Sequence, residues 1–182
     1  MRMTLGKSGH FTLFLVSILL PGCGTDTPTA ISIDPTIIFS SSFESGLLPS
    51  LLPWTSNDSA RVQLVQDVPP SGGRWAIRIT ARPAGDPIVH LRAPLSLPTD
   101  MHRFRLSIWM KSSARNMGCA FLMWPLSDSV SLGVGICAED SLWRQYTVED
   151  TLPNPRPTDF WVKLEAWQGN AHFDLVKLQR LD

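Results

Sequence analysis

Charge is scarce in this sequence, and neither sign prevails. Of the 182 residues, 16 are basic and 16 are acidic, so the formal net charge is zero, and charged residues make up 18% of the chain. Ordinary soluble domains carry roughly 25%. A nucleic-acid partner requires a basic surface, and electrostatic attraction to anionic lipid requires a polybasic segment. The composition therefore predicts no nucleic acid as a partner and no membrane binding by charge.

The motifs of common enzymes are also missing. The sequence has no Gly-x-Ser-x-Gly nucleophile turn, no His-Glu-x-x-His zinc motif and no Walker loop. Residues 133–138, GVGICA, match the Gly-x-Gly-x-x-Ala form of a dinucleotide turn, but no helical pattern follows to receive a pyrophosphate. We therefore expect a protein that is not an enzyme. A small hydrolase using Glu165 with Asp174 or Glu139 is the least favoured alternative.

The beginning of the chain is typical of an export signal. Arg2 and Lys7 supply positive charge ahead of the apolar run FTLFLVSILL, residues 11–20. This run is shorter than the roughly 20 apolar residues that cross a bilayer as a helix, and its length is that of a signal peptide. We predict a signal peptide at residues 1–22, with an uncleaved anchor as the alternative.

The cysteine that ends this region indicates lipid attachment. The sequence LPGC resembles a bacterial lipobox, in which a small residue precedes a cysteine that is lipidated and becomes the new N-terminus. Gly22 and Cys23 match this pattern, whereas Pro21 departs from the usual small or hydroxyl residue. Residues 23–35 are polar, contain proline and lack helical periodicity, as a tether does. We expect lipidated Cys23 to anchor the protein to a membrane of the cell envelope, because each buried acyl methylene contributes about 0.8 kcal/mol; the alternative is a secreted protein.

Two further cysteines, Cys119 and Cys137, predict a disulfide. An even pair in an exported domain is usually bridged, and two buried free thiols are the alternative. On a chain-entropy estimate the bridge contributes about 3 kcal/mol to stability. Its role would be structural, because the sequence contains no Cys-x-x-Cys redox motif.

The rest of the chain, residues 36–182, has the pattern of a β-sandwich domain. The 15 prolines of the whole sequence are spread along the chain and disfavour long helices. Short alternating or apolar runs, separated by turn residues such as PPSGG and LPNPRPTD, are typical of an all-β sandwich or barrel. The predicted strands lie within residues 36–43, 60–68, 75–81, 87–93, 102–113, 117–126, 130–138, 143–150, 159–167 and 171–181.

The order of several short segments resembles a known family. FSSSFESG, WTS, SGGRWAIRIT, FRLSIWMKSS, WRQYTVED and AHFDLVKL follow one another over about residues 39–181. Together they resemble the carbohydrate-binding modules of families four and nine. The resemblance implies a two-sheet antiparallel β-sandwich, a jelly roll of the galactose-binding-like fold, that binds glycans and is not itself catalytic.

The same resemblance implies a structural calcium ion between the first and last strands. The Phe-Glu-x-Gly motif of the family appears at residues 43–46, and the aspartate of the last strand appears as Asp174. Glu44 and Asp174 would supply carboxylates, and loop carbonyls the remaining oxygen ligands that calcium prefers. The alternative is that Glu44 caps a turn and that Asp174 makes a hydrogen bond inside the sandwich.

The segment DFWVKLEAW, residues 159–167, indicates where a glycan would bind. Successive strand side chains point to opposite faces. If Phe160, Val162 and Leu164 face the core, the opposite face carries two tryptophans, a lysine and a glutamate. The family resemblance implies that one sheet of the sandwich binds glycan on its outer side, and we expect the segments 87–93, 117–126, 130–138 and 159–167 to belong to that sheet. If Ala120, Leu122 and Trp124 are core residues, then Phe121 and Met123 join the outer face, and Cys119 shares a face with Cys137.

A sugar ring has an apolar C–H face and a rim of hydroxyls, and the predicted outer face suits both. An exposed indole stacks on the C–H face, and charged or imidazole groups form hydrogen bonds with the hydroxyls. The predicted contact residues are two stacking tryptophans and four polar partners, namely Trp161, Trp167, His90, Arg92, Lys163 and Glu165.

Two alternatives remain for these residues. Tryptophans are commonly buried in most of their area and also pack beneath loops, and Lys163 with Glu165 could be a solvated pair on a strand face. An aromatic face also suits a protein partner. The second function we consider is therefore a protein-interaction or structural module of a cell-envelope lipoprotein.

Overall fold

The computed structural model describes residues 34–44 and 52–182. Residues 1–33 lie outside these ranges. They include the predicted signal peptide, the predicted lipidation site Cys23 and all but the end of the predicted tether, which therefore stay predictions. In the described part of the chain, no helix is long and apolar enough to cross a membrane.

The described residues form eleven strands and a single 3-10 turn at Ser59–Arg61. Each of the ten segments predicted as strands overlaps one of them. The two-residue strand β2 was not predicted, because two residues carry no alternation signal. The strands are β1 Ile37–Ser41, β2 Thr55–Ser56, β3 Val62–Val65, β4 Ala76–Thr80, β5 Val89–Leu95, β6 Arg103–Ser112, β7 Gly118–Pro125, β8 Ser131–Cys137, β9 Arg144–Thr151, β10 Phe160–Ala166 and β11 Asn170–Arg180.

The strands pair antiparallel in two sheets, as predicted. Sheet A has the order β3-β4-β11-β6-β9, and β1 also pairs with β11. Sheet B has the order β2-β5-β10-β7-β8. The four segments that we expected to form one sheet are its strands β5, β7, β8 and β10. The chain is therefore an all-β sandwich, with β10 at the centre of sheet B.

Alternation along the strands builds the core between the sheets. In β6 the side chains of Phe104, Leu106 and Ile108 are fully buried and face the sandwich interior. In β10 the same holds for Val162 and Leu164. Burying an aliphatic or aromatic side chain of this size contributes about 1.5–3 kcal/mol, so the inner faces of β6 and β10 help to hold the sheets together.

The hairpin of β7 and β8 confirms the expected phase. Ala120 and Leu122 are fully buried in the core, and Phe121 and Met123 point to the outer face. Phe121 lies over Gly135 of the edge strand, where a Cβ atom would collide with its ring, and Met123 lies over Gly133 in the same way. The two glycines of the GVGICA segment therefore make room on a sheet face, and they do not form a dinucleotide turn.

The predicted disulfide joins the same two strands. Cys119 and Cys137 are directly opposite in the register, and their sulfurs are bonded. The bridge fastens the edge strand β8 to β7 on the outer face of sheet B.

The outer face of sheet A carries a cluster around His172. Its imidazole lies edge-on to Trp143, with ring centroids 6.2 Å apart, and Nε2 is 3.9 Å from a carboxylate oxygen of Asp67. Burial, together with the positive charges of Lys111 and Arg78, lowers the pKa of His172 to about 4. The negative charge of Asp67 acts in the opposite direction but has a smaller effect. The folded state therefore holds His172 as a neutral imidazole.

We predict that His172 makes stability depend on acid. Because its pKa is lower in the folded than in the unfolded chain, its contribution is present above about pH 6.5 and is lost as the pH falls towards 4. The loss is on the order of 3 kcal/mol. Urea unfolding of the wild type and of His172→Gln is measured between pH 7 and pH 4. The difference between their free energies of unfolding should narrow as the pH falls. The exposed His102→Gln serves as the control, and a parallel profile for wild type and His172→Gln would contradict the assignment.

Candidate functional site

The register of sheet B brings the predicted contact residues together on its outer face. Lys163 of β10 lies directly between Arg92 of β5 and Phe121 of β7. One row further along, Glu165 lies between His90 and Cys119. Five of the six predicted residues thus lie on two adjacent strands, and Trp167 immediately follows the second of them.

Trp161 faces away from the core but is nearly covered. Its side chain does not belong to the buried cluster between the sheets, yet only 8% of its surface is exposed. The Arg92 guanidinium lies over its ring, 4.1 Å from the centroid. One face of this indole is therefore occupied by a cation.

Trp167 is the accessible tryptophan of this face. It follows the last residue of β10, and 49% of its surface is exposed. Its indole Nε1–H donates a hydrogen bond of 2.7 Å to Glu165 Oε2. The bond fixes one edge of the ring while its surface remains open to solvent.

Glu165 is the buried centre of the polar group. It is only 4% exposed, and its second carboxylate oxygen forms an ion pair with Lys163. A carboxylate at this depth requires partners for both oxygens, and Lys163 and Trp167 provide them. Glu165 therefore positions two of the predicted contact residues and has little surface of its own for a ligand.

His90 lies beside Glu165 and is half-buried. Burial, then the positive charge of Lys163, lowers its pKa, and the charge of Glu165 opposes them. At neutral pH the imidazole is therefore neutral, and a neutral imidazole has one donor and one acceptor nitrogen, which suits a hydroxyl.

Sequence reasoning missed the contribution of β2 and the residue that follows it. Thr55 lies opposite Arg92, on the same outer face. The Asn57 side chain accepts a 2.9 Å hydrogen bond from the His90 backbone N–H and donates one of 2.9 Å to the Ile88 carbonyl. These bonds fix the start of β5, which carries His90 and Arg92. They could not be predicted from the sequence, because so short a segment shows no periodicity.

The predicted calcium ligand Glu44 accepts backbone hydrogen bonds. The Arg74 N–H lies 2.9 and 2.8 Å from its two carboxylate oxygens, and the Trp75 N–H lies 3.0 Å from one of them. A Cβ atom on Gly73 would collide with the carboxylate. The loop before β4 is therefore shaped around this charge.

The second predicted ligand, Asp174, has an unsatisfied oxygen. Its side chain is fully buried, Oδ1 accepts a 2.7 Å bond from the Leu175 N–H, and Oδ2 has no hydrogen-bond partner among the described residues. A Cβ atom on Gly72 would lie 2.6 Å from Oδ2. Burial raises the pKa of Asp174 to about 7, and the negative charge of Glu44 acts in the same direction.

Strained backbone adjoins both carboxylates. Phe43 has φ of 57° and Leu175 has φ of 49°, values that bulky residues rarely adopt. A buried orphan oxygen, a repelling pair of carboxylates and local strain are features that a bound cation would relieve. No cluster of three or more His, Cys, Asp or Glu suited to a metal occurs among residues 34–44 and 52–182, so calcium here would take its other ligands from backbone carbonyls or water. The residues fit calcium on those terms.

A cleft of about 490 Å³ lies at one end of the sandwich. Its walls are the turn between β7 and β8 and the proline-rich loop between β9 and β10, including Trp124, Leu132 and Pro155. Leu126, Val130 and Leu132 of this hairpin are exposed. The site is largely apolar and differs from the polar outer face of sheet B.

The fold is that of carbohydrate-binding modules. The xylan-binding CBM22-1 domain of Paenibacillus barcinonensis Xyn10C matches with a TM-score of 0.57 and 13% identity, over 80% of this chain and 95% of that one. The module CBM6cm-2 from Cellvibrio mixtus lichenase 5A, solved with cellotriose, matches with a TM-score of 0.51 and 12% identity, over 80% of this chain and 99% of that one. These matches confirm the predicted jelly-roll sandwich, while the specific resemblance to families four and nine stays a prediction.

The similarity extends to part of an enzymatically active domain. The enzymatically active domain of bacteriophage CBA120 tailspike protein 4 matches with a TM-score of 0.53 and 15% identity, over 70% of this chain but only 19% of that chain. No protein-family model and no curated protein matches the sequence. At identities of this order, similarity establishes the fold and leaves the function to the site.

We predict that Glu165 is more important for stability than a surface carboxylate. Glu165→Gln keeps the shape of the side chain but removes the anionic partner of Lys163. Lys163 would then lie opposite Arg92 with no carboxylate to neutralise it. Losing a buried charged partner should cost about 2 kcal/mol. The matched control is Glu149→Gln, whose pair with Arg105 has both side chains 42% exposed and should cost under about 1 kcal/mol. Urea unfolding measures both, and equal costs would show that the Glu165 group is not a buried network.

Proposed function

We propose that the protein is a non-catalytic carbohydrate-binding module and that the outer face of sheet B holds the glycan. The observation that carries the proposal is the exposed indole of Trp167, which a hydrogen bond to the buried Glu165 carboxylate holds in place. Lys163, which pairs with the same carboxylate, lies on this face together with His90 and Arg92. A module of this kind needs an aromatic surface for the apolar face of a sugar and fixed polar groups for its hydroxyls. The sandwich supplies both on adjacent strands.

The contact residues take different parts in this proposal. Trp167 stacks on a sugar ring, while Lys163 and His90 bond hydroxyls at neighbouring positions. Glu165 orients Trp167 and Lys163. Trp161, covered by Arg92, has less ring surface to offer, and its main part is to support that guanidinium.

The cellular setting belongs to the proposal as well. We propose an exported protein that is anchored to a cell-envelope membrane through lipidated Cys23, with secretion as the alternative. The support is the sequence of residues 1–23, with its positive start, short apolar run and terminal Gly22-Cys23. Such an anchor would hold the sandwich near the cell surface on a polar tether.

We further propose that calcium stabilises the sandwich at Glu44 and Asp174. A bound ion would neutralise the two repelling carboxylates and satisfy Asp174 Oδ2. Strand β1 pairs with β11. An ion held by Glu44, three residues after β1, and by Asp174 of β11 would therefore join the beginning and end of the sandwich. Its part would be structural, since neither carboxylate lies on the outer face of sheet B.

A protein partner is the second candidate function. Leu126, Val130 and Leu132 form an exposed apolar group beside the cleft at the end of the sandwich. Exposed apolar groups of this kind commonly mark protein contacts. The polar outer face of sheet B does not explain them, so both functions can be present on different parts of one molecule.

We predict that calcium raises the melting temperature. At a calcium concentration about a hundredfold above the Kd, a single site adds about 2.7 kcal/mol, or roughly 5–10 °C for a domain of this size. The measurement is thermal unfolding of EDTA-treated protein with and without added calcium. Asp174→Asn should lose the shift, and the exposed Asp128→Asn should keep it. Wild type with the same melting temperature in calcium and in EDTA would rule the site out.

We predict that Trp167→Ala weakens glycan binding at least about tenfold, which corresponds to 1.4 kcal/mol. The reason is the loss of the accessible stacking surface. Affinity electrophoresis against a panel of neutral and acidic polysaccharides measures retention, and Trp143→Ala on the other sheet is the matched control. Wild-type protein that is retained by none of the polysaccharides, or a Trp143 variant that loses binding as Trp167→Ala does, would refute the proposed function.

A further inference from the structure

Arg92 and Lys163 create an electrostatic conflict in the middle of sheet B. They are direct cross-strand partners on the outer face, where like charges destabilise a sheet. The neighbour of Arg92 on its other side is the uncharged Thr55. A local conflict without a compensating gain in folding is characteristic of a functional site.

The one carboxylate of this face does not neutralise Arg92. Glu165 directs one oxygen to Lys163 and the other to the Trp167 indole. Within the described part of the chain, the Arg92 guanidinium enters no ion pair and no hydrogen bond, and it lies over the Trp161 ring. Arg92 is therefore an exposed cation with no anionic partner among the described residues.

The other described strands of this face supply no further anion. Strands β7 and β8 contribute Cys119, Phe121, Met123 and two glycines to it, and β5 adds His90, which the charge of Lys163 helps to keep neutral. Among the described residues, the strands of this face thus carry two cations and a single, buried anion.

The position of Arg92 also fixes its geometry. The guanidinium lies 4.1 Å from the centroid of Trp161, which is itself only 8% exposed and therefore held firmly. Stacking on an indole occupies the flat side of a guanidinium and leaves its in-plane N–H donors free. Such a fork matches the two oxygens of a carboxylate.

From these observations we propose that the glycan is acidic, and that Arg92 on its Trp161 support binds the carboxylate of a uronic acid residue. The inference rests on the proposed function, because it assigns a substrate class to the same face. Trp167 would stack on a sugar of the same chain. A carboxylate beside Arg92 would also relieve its repulsion with Lys163, so binding and local electrostatics favour the same ligand.

The test compares polymers that differ only in charge. Polygalacturonate, alginate and hyaluronan are each paired with their methyl-esterified forms, and the affinity of the wild type is measured by calorimetry at low and high salt. We expect at least one acidic polymer to bind about tenfold or more tightly than its ester, with a preference that declines as salt rises. Arg92→Gln should lose that preference, Arg92→Lys should keep only part of it, and the exposed Arg103→Gln should keep all of it.

The outcomes separate the two proposals. Binding of neutral polysaccharides with no preference for any acidic polymer would overturn the assignment to acidic glycans and leave the carbohydrate-binding proposal standing. A preference that survives in Arg92→Gln would overturn the part given to Arg92. Failure to bind any polymer, neutral or acidic, would overturn both. Circular dichroism of each variant verifies that it is folded, and the comparison of polymers on the wild type needs no variant.

Discussion

The outer face of sheet B depends on the two-sided burial of its central strand. On its inner side, β10 places Val162 and Leu164 in the core. On its outer side it buries Glu165, and that carboxylate is stable there only because Lys163 and the Trp167 indole satisfy it. The same ion pair and hydrogen bond that make the burial tolerable orient the residues we assign to the glycan. Under the proposed function, stability and glycan recognition are thus coupled through the Glu165 side chain.

Charge that the fold does not neutralise defines the two proposed sites. Arg92 is left without an anion on sheet B, and Asp174 is left without a partner for one oxygen beneath the loop before β4. Each is packed against close neighbours, the Trp161 indole in the first case and the Gly72 backbone in the second. An anionic sugar and a divalent cation are the complements of these opposite charges.

Alternation in the sequence was sufficient to predict ten of the eleven described strands and the outward side of β10, whereas the common sheet of β5, β7, β8 and β10 was expected from the family resemblance. It could not predict that Trp161 would be covered, because that depends on the register that brings Arg92 alongside it. The burial of Glu165 depends on how Trp167 lies after the strand has ended. The orphan oxygen of Asp174 depends on the irregular register of β11 after this residue and on a distant glycine loop. Such contacts arise from tertiary structure and leave no periodic signal.

The most direct test of the central claim is an NMR titration that follows the indole Nε1–H resonances of the tryptophans as an oligosaccharide of the retained polymer is added. We predict that the Trp167 resonance shifts most, because its ring contacts the sugar while its N–H remains bonded to Glu165, and that the Trp143 resonance on the opposite sheet does not shift. Saturation of binding with the Trp167 resonance unmoved, or with changes confined to Trp143 and Trp109 on sheet A, would contradict it.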